Sequence, residues 1–279
     1  MGDFHSEGHW RDSYIKRTGI KEKNVISSHF LKHVHECHVQ KISFEMLDCF
    51  LGIDPEFNIN KIINKVIYDN RGGGCTDMNG VFSEYLSLSG FNVSRIMSCA
   101  WNPIKKHNTF THMAVIVEVD DARWFCDVGY GYRGPVWPIK LAHNNINVQG
   151  VHRYRVFRKD NGSWQIDYLK NNNWQCMYLF RDISHSWEDF RVSQFYNYKS
   201  PDALFRKNLY IARPTLLGGV FILGDKLISL KQETKTTVML NSVNEIIEVL
   251  RQQFYIELSD SVKKLLQHSK SRLLTKEMI

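Results

Sequence analysis

The chain has 279 residues, of which 43% are apolar, 23% charged and 13% aromatic, with only 6 Pro and 17 Gly; this is the balance of a globular protein with a sizeable core and excludes disordered or collagen-like chains. Its 36 Lys and Arg against 29 Asp and Glu leave a net charge of +7, but the basic residues are scattered, which argues against a nucleic-acid arm and leaves only long-range steering of a phosphate-bearing small ligand. The cysteines form no CxxC pair and no short regular spacing, and the longest useful uncharged run, Pro214 to Gly224, is too short to cross a bilayer, so reduced thiols, no membrane span and a cytoplasmic setting are expected.

From Ser13 to Leu88 apolar residues recur at helical spacing, as in Phe30, Val34 and Cys37, then Phe44, Leu47 and Leu51, then Ile62 and Val66; this predicts a helical lobe over residues 1–90. His33, His35, Cys37 and His38 cluster there, but the segment lacks the HExxH spacing and no metal is expected. Between residues 91 and 185 the period changes. Val93 to Cys99, Met113 to Val119, Arg123 to Val128 and His152 to Phe157 read as strands, and Asn161-Gly162 and Asn171-Asn172-Asn173 as hairpin turns leading into strands that carry Trp164 and Trp174. Residues 186–279 read as an α/β lobe: Phe190 to Tyr198 and Val220 to Ile228 as strands, Val243 to Phe254 as a helix, and the tail from Ser259 as an amphipathic helix packed on the body.

Chemistry concentrates at Arg71-Gly72-Gly73-Gly74-Cys75. The following Met78, Phe82, Tyr85 and Leu86 stripe ends at Gly90 and sets Cys75 at a helix N-terminus. There the macrodipole and the unpaired N–H groups favour an anion, so a reactive thiol is expected. If the next hairpin turns at Asp120-Asp121, Val119 pairs with Ala122, and counting back puts Asp127 opposite Ala114, diagonal to His112 on the same face. An imidazole bridges such a diagonal to a carboxylate. A base oriented by an acid, opposite a helix-capped thiol, is the geometry of an activated nucleophile.

These residues resemble the arylamine N-acetyltransferases. The likeness rests on Arg71-Gly-Gly-x-Cys75 with Asn79, on Thr111-His112 opening a strand, and on Asp127-Val128-Gly129-Tyr130-Gly131 ending the next; it extends to Ile42 through Asp48, Trp174 to Phe180, and Ser200-Pro201 to Phe205. The resemblance implies an α+β fold of three lobes, a helical bundle, a β-barrel and an α/β lid, around a cysteine-protease-like Cys-His-Asp core. It also implies that Cys75 takes an acetyl group from acetyl-CoA and passes it to a small-molecule amine in a ping-pong cycle. Its catalytic residues would be Cys75, His112 and Asp127, with Phe110, Thr111, Gly129, Gly131 and Ser200 beside the acyl-CoA. The Cys75 N–H and an amide near Phe110 or Thr111 would hold the oxyanion, and Arg71 would pair with Glu45 to lock the catalytic loop.

The chain departs from the family pattern at Thr76, Asp77 and Met78, where an aromatic residue and Glu or Gln are usual, and at Ser43-Phe44-Glu45-Met46, where Pro-Phe-Glu-Asn is usual. An altered pocket wall is expected. The same triad also serves a transglutaminase-like or papain-like hydrolase and an amide synthase, which differ in the acyl donor; an intact triad argues against a non-catalytic binding module.

Overall fold

A computed structural model of the chain describes residues 7–22, 25–100, 109–201 and 203–273. The N-terminal third is helical: α1 (Glu7–Thr18), α2 (Ser28–Lys41), α3 (Leu47–Leu51), α4 (Ile59–Ile63) running into a π turn at Asn64–Tyr68, and α5 (Cys75–Leu88), with one two-residue strand, β1 (Phe44–Glu45), between α2 and α3. Then come β2 (Asn92–Ala100), β3 (His112–Val119), β4 (Ala122–Cys126), β5 (Ile139–Lys140), β6 (Asn145–Gln149), β7 (His152–Arg158), β8 (Trp164–Lys170) and β9 (Asn173–Phe180). The remainder holds α6 (Phe190–Lys199), β10 (Tyr210–Thr215), β11 (Gly218–Leu223), β12 (Lys226–Lys231), β13 (Thr234–Met239), α7 (Val243–Phe254), α8 (Asp260–His268) and α9 (Lys270–Leu273).

The middle strands form one antiparallel sheet of eight in the order β5-β4-β3-β2-β9-β8-β7-β6. Its two edges nearly meet, since Asn147 Oδ1 on β6 accepts from the Lys140 N–H on β5 at 3.0 Å. Curling the sheet in this way leaves few unpaired edge groups. The strand β3 is buried on both faces: Val115, Val117 and Val119 pack with the helices, while Ala114 and Ile116 line the barrel interior with Phe125, Tyr178 and Phe180. Alternation along one strand therefore joins two cores, and His112 at its start shares the face of Ala114. The turn at Asp120-Asp121 has positive φ at both residues (51° each), as a two-residue primed turn requires, and it pairs Val119 with Ala122.

The five-stranded sheet runs β1-β10-β11-β12-β13, so Phe44-Glu45 of the helical stretch pairs with Ile211-Ala212 far along the chain. Its core, with Ile211, Ile222, Ile246, Leu250, Phe254 and Leu266, also takes in Leu47 and Phe50 of α3. The tail packs on the body through Leu266 and Leu273 and breaks at Ser269.

One expected strand is a helix. Phe190 to Tyr198 is rich in aromatics and reads as β, yet its buried residues Phe190, Ser193, Gln194 and Tyr198 fall at i, i+3, i+4 and i+8. Two of those are polar, which hid the period. The helix is nucleated by Ser186, whose N–H and hydroxyl both donate to Asp189 Oδ2 at 2.8 Å, and it stops at Ser200-Pro201, because proline cannot continue it. The Val220 to Ile228 segment is two strands, β11 and β12, separated at Gly224 (φ 61°).

Candidate active site

Cys75 is the first residue of α5. The loop before it is fixed by charge. Arg71, itself buried, donates from Nε to Glu45 Oε1 and from Nη2 to Asp48 Oδ1, both at 2.8 Å. Lys65 sits 2.7 Å from Asp48 and 3.4 Å from Asp77, and Asp77 reaches back to the Gly74 N–H at 3.3 Å, half of a capping box. Burial disfavours the Asp48 charge, but Lys65 and Arg71 outweigh it and pull its carboxyl down to about 2. Burial wins at Asp77, whose carboxyl lies above its usual range. Glu45, Arg71 and the loop thus form one anchored unit, and β1 ties it to the sheet through Glu45 N–H to Gly73 O at 3.0 Å.

His112 opens β3 and Asp127 follows the last residue of β4. Nε2 of His112 donates to Asp127 Oδ2 at 2.6 Å, which leaves Nδ1 as the nitrogen for the sulfur. Burial opposes charge on His112, but Asp127 and Cys75 more than offset it and push the imidazole up to about 10. Asp127 is buried and fully satisfied. Its Oδ2 also accepts from the Tyr178 hydroxyl at 2.7 Å, and its Oδ1 accepts from Asn79 Nδ2 and the Gly129 N–H at 2.8 Å each. Burial raises its pKa, yet His112, Asn79 and Tyr178 together hold the carboxyl below the usual carboxylate range. Asn79, one turn beyond Cys75 on α5, also donates to Met113 O (2.8 Å) and accepts from the Val128 N–H (3.0 Å), so one amide ties α5 to β3 and to the segment leaving β4.

Beneath this lies His35, fully buried on α2. Its Nδ1 is 2.9 Å from Val136 O; a carbonyl only accepts, so Nδ1 carries the hydrogen and Nε2 accepts from the Asp127 N–H at 3.2 Å. Burial pushes His35 down to about 4, and it is neutral at pH 7. His38 turns instead to the Tyr14 hydroxyl (2.7 Å) and His33 to Cys37 Sγ (3.6 Å), so the histidine cluster does not converge. Among the described residues no group of three acidic, His or Cys side chains could hold a metal ion.

The residues expected beside the acyl-CoA are placed less uniformly. Thr111 lies against the cysteine, with its carbonyl 4.0 Å from Cys75 Sγ. Phe110 is 47% exposed next to it, and Ser200 caps the C-terminal end of α6. Gly129 does not offer open space: a Cβ there would meet Cys75 Cα at 2.8 Å and Asn79 Nδ2 at 2.9 Å, so its missing side chain lets α5 approach the strand exit. Gly131 has φ 104°, and a Cβ would sit 3.1 Å from the Tyr210 hydroxyl. On the Cβ side both glycines therefore face other parts of the protein and not open space. Of the departures at Thr76 to Met78, Met78 is buried in the helical core and Asp77 belongs to the charge network, so neither opens onto a pocket. Tyr178, His35 and Asn197 of α6, whose Nδ2 donates to Thr111 O at 3.0 Å, were not expected at the site.

A family model described as N-acetyltransferase matches residues 29–263. The chain belongs to the arylamine N-acetyltransferase family. Over 254 residues, 89% of each chain, it is 26% identical to the arylamine N-acetyltransferase / N-hydroxyarylamine O-acetyltransferase of Salmonella typhimurium. It is 27% identical to the Escherichia coli arylamine N-acetyltransferase over 74% of this chain and 73% of that one. The solved S. typhimurium structure superposes with a TM-score of 0.86 at 22% identity, covering 93% of this chain and 98% of the other. That of the Mycobacterium marinum enzyme in complex with CoA gives 0.86 at 20% identity, covering 94% and 98%. At these identities the structural matches establish the shared three-lobe fold, and family membership makes the chain an acyltransferase. Among the described residues no helix is long and apolar enough to cross a membrane.

The bonds to Asp127 allow a direct test. Tyr178→Phe removes one donor to a buried carboxylate, an interaction of about 1.5–3 kcal/mol, while the ring keeps its place among Phe125 and Tyr130. The carboxyl then rises, so the acid limb of the kcat/KM profile is expected to move to higher pH, with turnover reduced several-fold. An unmoved limb would show that Tyr178 does not govern the Asp127 charge.

Proposed function

We propose that the chain moves an acetyl group from acetyl-CoA through a Cys75 thioester to an arylamine, hydrazine or related amine by a ping-pong mechanism. The observation that carries this reading is the buried line from Asp127 through His112 Nε2 to the ring nitrogen facing Cys75, in a member of this family. With Asp127 holding the proton on Nε2, His112 Nδ1 takes the thiol proton, and the thiolate at the N-terminus of α5 attacks the acetyl carbonyl. Collapse of the tetrahedral adduct expels the CoA thiolate, which takes the proton held on Nδ1. The acceptor amine then enters, attacks the Cys75 thioester and gives its proton to the same nitrogen, and the Cys75 thiol is regenerated. Because the second substrate needs the space the first has left, the cycle alternates between the two.

The donor is proposed to reach Cys75 past Phe110 and Thr111 on one side and Ser200 on the other, with Gly129 and Gly131 shaping the backbone behind the sulfur. A cytoplasmic setting fits an enzyme whose nucleophile must stay reduced; Cys75 and the other five cysteines are all free thiols. Initial rates across a grid of acetyl-CoA and an arylamine or hydrazine acceptor should give parallel double-reciprocal lines. Intersecting lines would place both substrates on the enzyme together and remove the thioester from the account.

A further inference from the structure

Among the described residues, three groups near Cys75 are weighed as a second oxyanion donor beside the Cys75 N–H, which as the first N–H of α5 has no partner within the helix. The Thr111 N–H is one, but it is already donated to Thr109 O at 2.8 Å in a tight local turn. The Asn79 amide is another, and both its hydrogens are spent on Met113 O and Asp127 Oδ1. The third is Asn197. It lies on α6, a helix brought to the site by long-range packing, with Nδ2 donating to Thr111 O at 3.0 Å and lying 4.0 Å from Cys75 Sγ.

Since a carbonyl can only accept, Thr111 O fixes which end of the amide is nitrogen. Nδ2 donates to Thr111 O, and Cys75 Sγ lies on the same side of that nitrogen at 4.0 Å. The helix that carries Asn197 is held to the helix that carries Cys75: Gln194, one turn before Asn197 and on the same face, donates from Nε2 to Asp77 Oδ1 at 2.9 Å and to Glu56 O at 3.0 Å. Asp77 is two residues from Cys75. The Cys49 thiol further contacts the Asn197 and Tyr198 carbonyls at 3.9 and 3.7 Å. The amide and the nucleophile are therefore members of one rigid frame, as a preorganised donor requires.

We infer that Asn197 is a catalytic residue of this site, its side-chain amide donating to the oxyanion that forms when Cys75 attacks an acyl carbonyl. When Sγ bonds to the carbonyl carbon, the carbonyl π pair moves onto oxygen, about one bond beyond the sulfur's new partner. A donor 4.0 Å from Sγ in the free enzyme is within reach of an oxygen held on its side of the sulfur, at the 2.7–3.1 Å that an oxyanion donor needs. Collapse restores the C=O and expels the leaving group, and the amide returns to its resting contact. The inference rests on the acyl-transfer reading above, and it moves the second donor from the backbone near Phe110 or Thr111 to a side chain of α6.

The test separates attack at a carbonyl from attack at a saturated carbon. Single-turnover acylation of Cys75 by p-nitrophenyl acetate and by acetyl-CoA is followed by intact mass, and alkylation of Cys75 by iodoacetamide is timed on the same samples. Alkylation forms no oxyanion but needs the same thiolate. For Asn197→Ala and the near-isosteric Asn197→Leu, acylation is expected to slow roughly 10²-fold while alkylation stays within about twofold. A parallel fall in both rates would make Asn197 a support for the thiolate or the fold, and acylation within threefold of wild type would remove it from the reaction; either result overturns the inference. Wild-type protein that is acylated by the ester but not by acetyl-CoA would sink the donor reading while leaving Asn197 tested, and wild-type protein acylated by neither would sink both.

Discussion

Asp127→Asn is expected to lower kcat/KM by about 10⁴-fold, a magnitude typical of losing the acid that orients a catalytic histidine. The reason is which hydrogen bonds can adapt. Oδ1 receives two donors that cannot turn into acceptors, Asn79 Nδ2 and the Gly129 N–H. The new amide must therefore put its NH2 on the other side, facing His112 and Tyr178. The tyrosine hydroxyl can rotate to accept. The imidazole can accept only by moving its proton to Nδ1, and that tautomer presents a hydrogen to the sulfur and cannot take one from it.

The same substitution reduces a pH slope. His112 is held up at about 10 by Asp127 and Cys75 against the cost of burial, compared with about 6.5 when unfolded. The pair therefore contributes stability that is full below about pH 6.5 and is lost as pH rises through about 10. In Asp127→Asn this loss should shrink in urea melts taken across that range, leaving the part that Cys75 supplies. Turnover within tenfold of wild type, or an unchanged slope, would contradict the orienting role.

Arg71→Ala is expected to lower stability by about 3–5 kcal/mol, as removing one partner from a buried ion pair does, and to reduce turnover with it. Glu45 and Asp48 would be left buried without the guanidinium that both accept from. Asp48, drawn down to about 2 against burial by Lys65 and Arg71, contributes stability above about pH 3.9 and loses it as pH falls through about 2. Wild type and variant should therefore converge in acid. Arg71→Lys keeps a charge but not the two-pronged geometry, so it should fall between them. An Arg71→Ala protein with normal melting and no turnover would mean that Arg71 acts on the chemistry and not on the loop.

The triad is legible in the sequence because each member is fixed by local rules. A glycine run before an amphipathic stripe sets the start of α5, and a two-residue Asp-Asp turn sets the β3–β4 register, which brings Asp127 round to His112. The Arg71–Glu45 pair is legible only through the family likeness, and Asp48, Lys65 and Asp77, which complete the network, are not. The groups around the triad come from distant elements: His35 from α2, Tyr178 from β9 and Asn197 from α6. No periodicity announces them, since each is a polar residue on an otherwise packed face. The strand β1 escapes for a different reason, because two residues carry no period, and α6 because serine and glutamine occupy its buried face.

The central claim is that Cys75 carries the acyl group. Intact mass after brief incubation with acetyl-CoA and no acceptor tests it most directly, with Cys75→Ala alongside. One acetyl increment on the native chain, absent from the variant and discharged by adding an arylamine or hydrazine, is the predicted result. A native chain that gains no increment from acetyl-CoA or longer acyl-CoAs, while Cys75 is still alkylated rapidly, would contradict it and leave the triad to a different acyl donor.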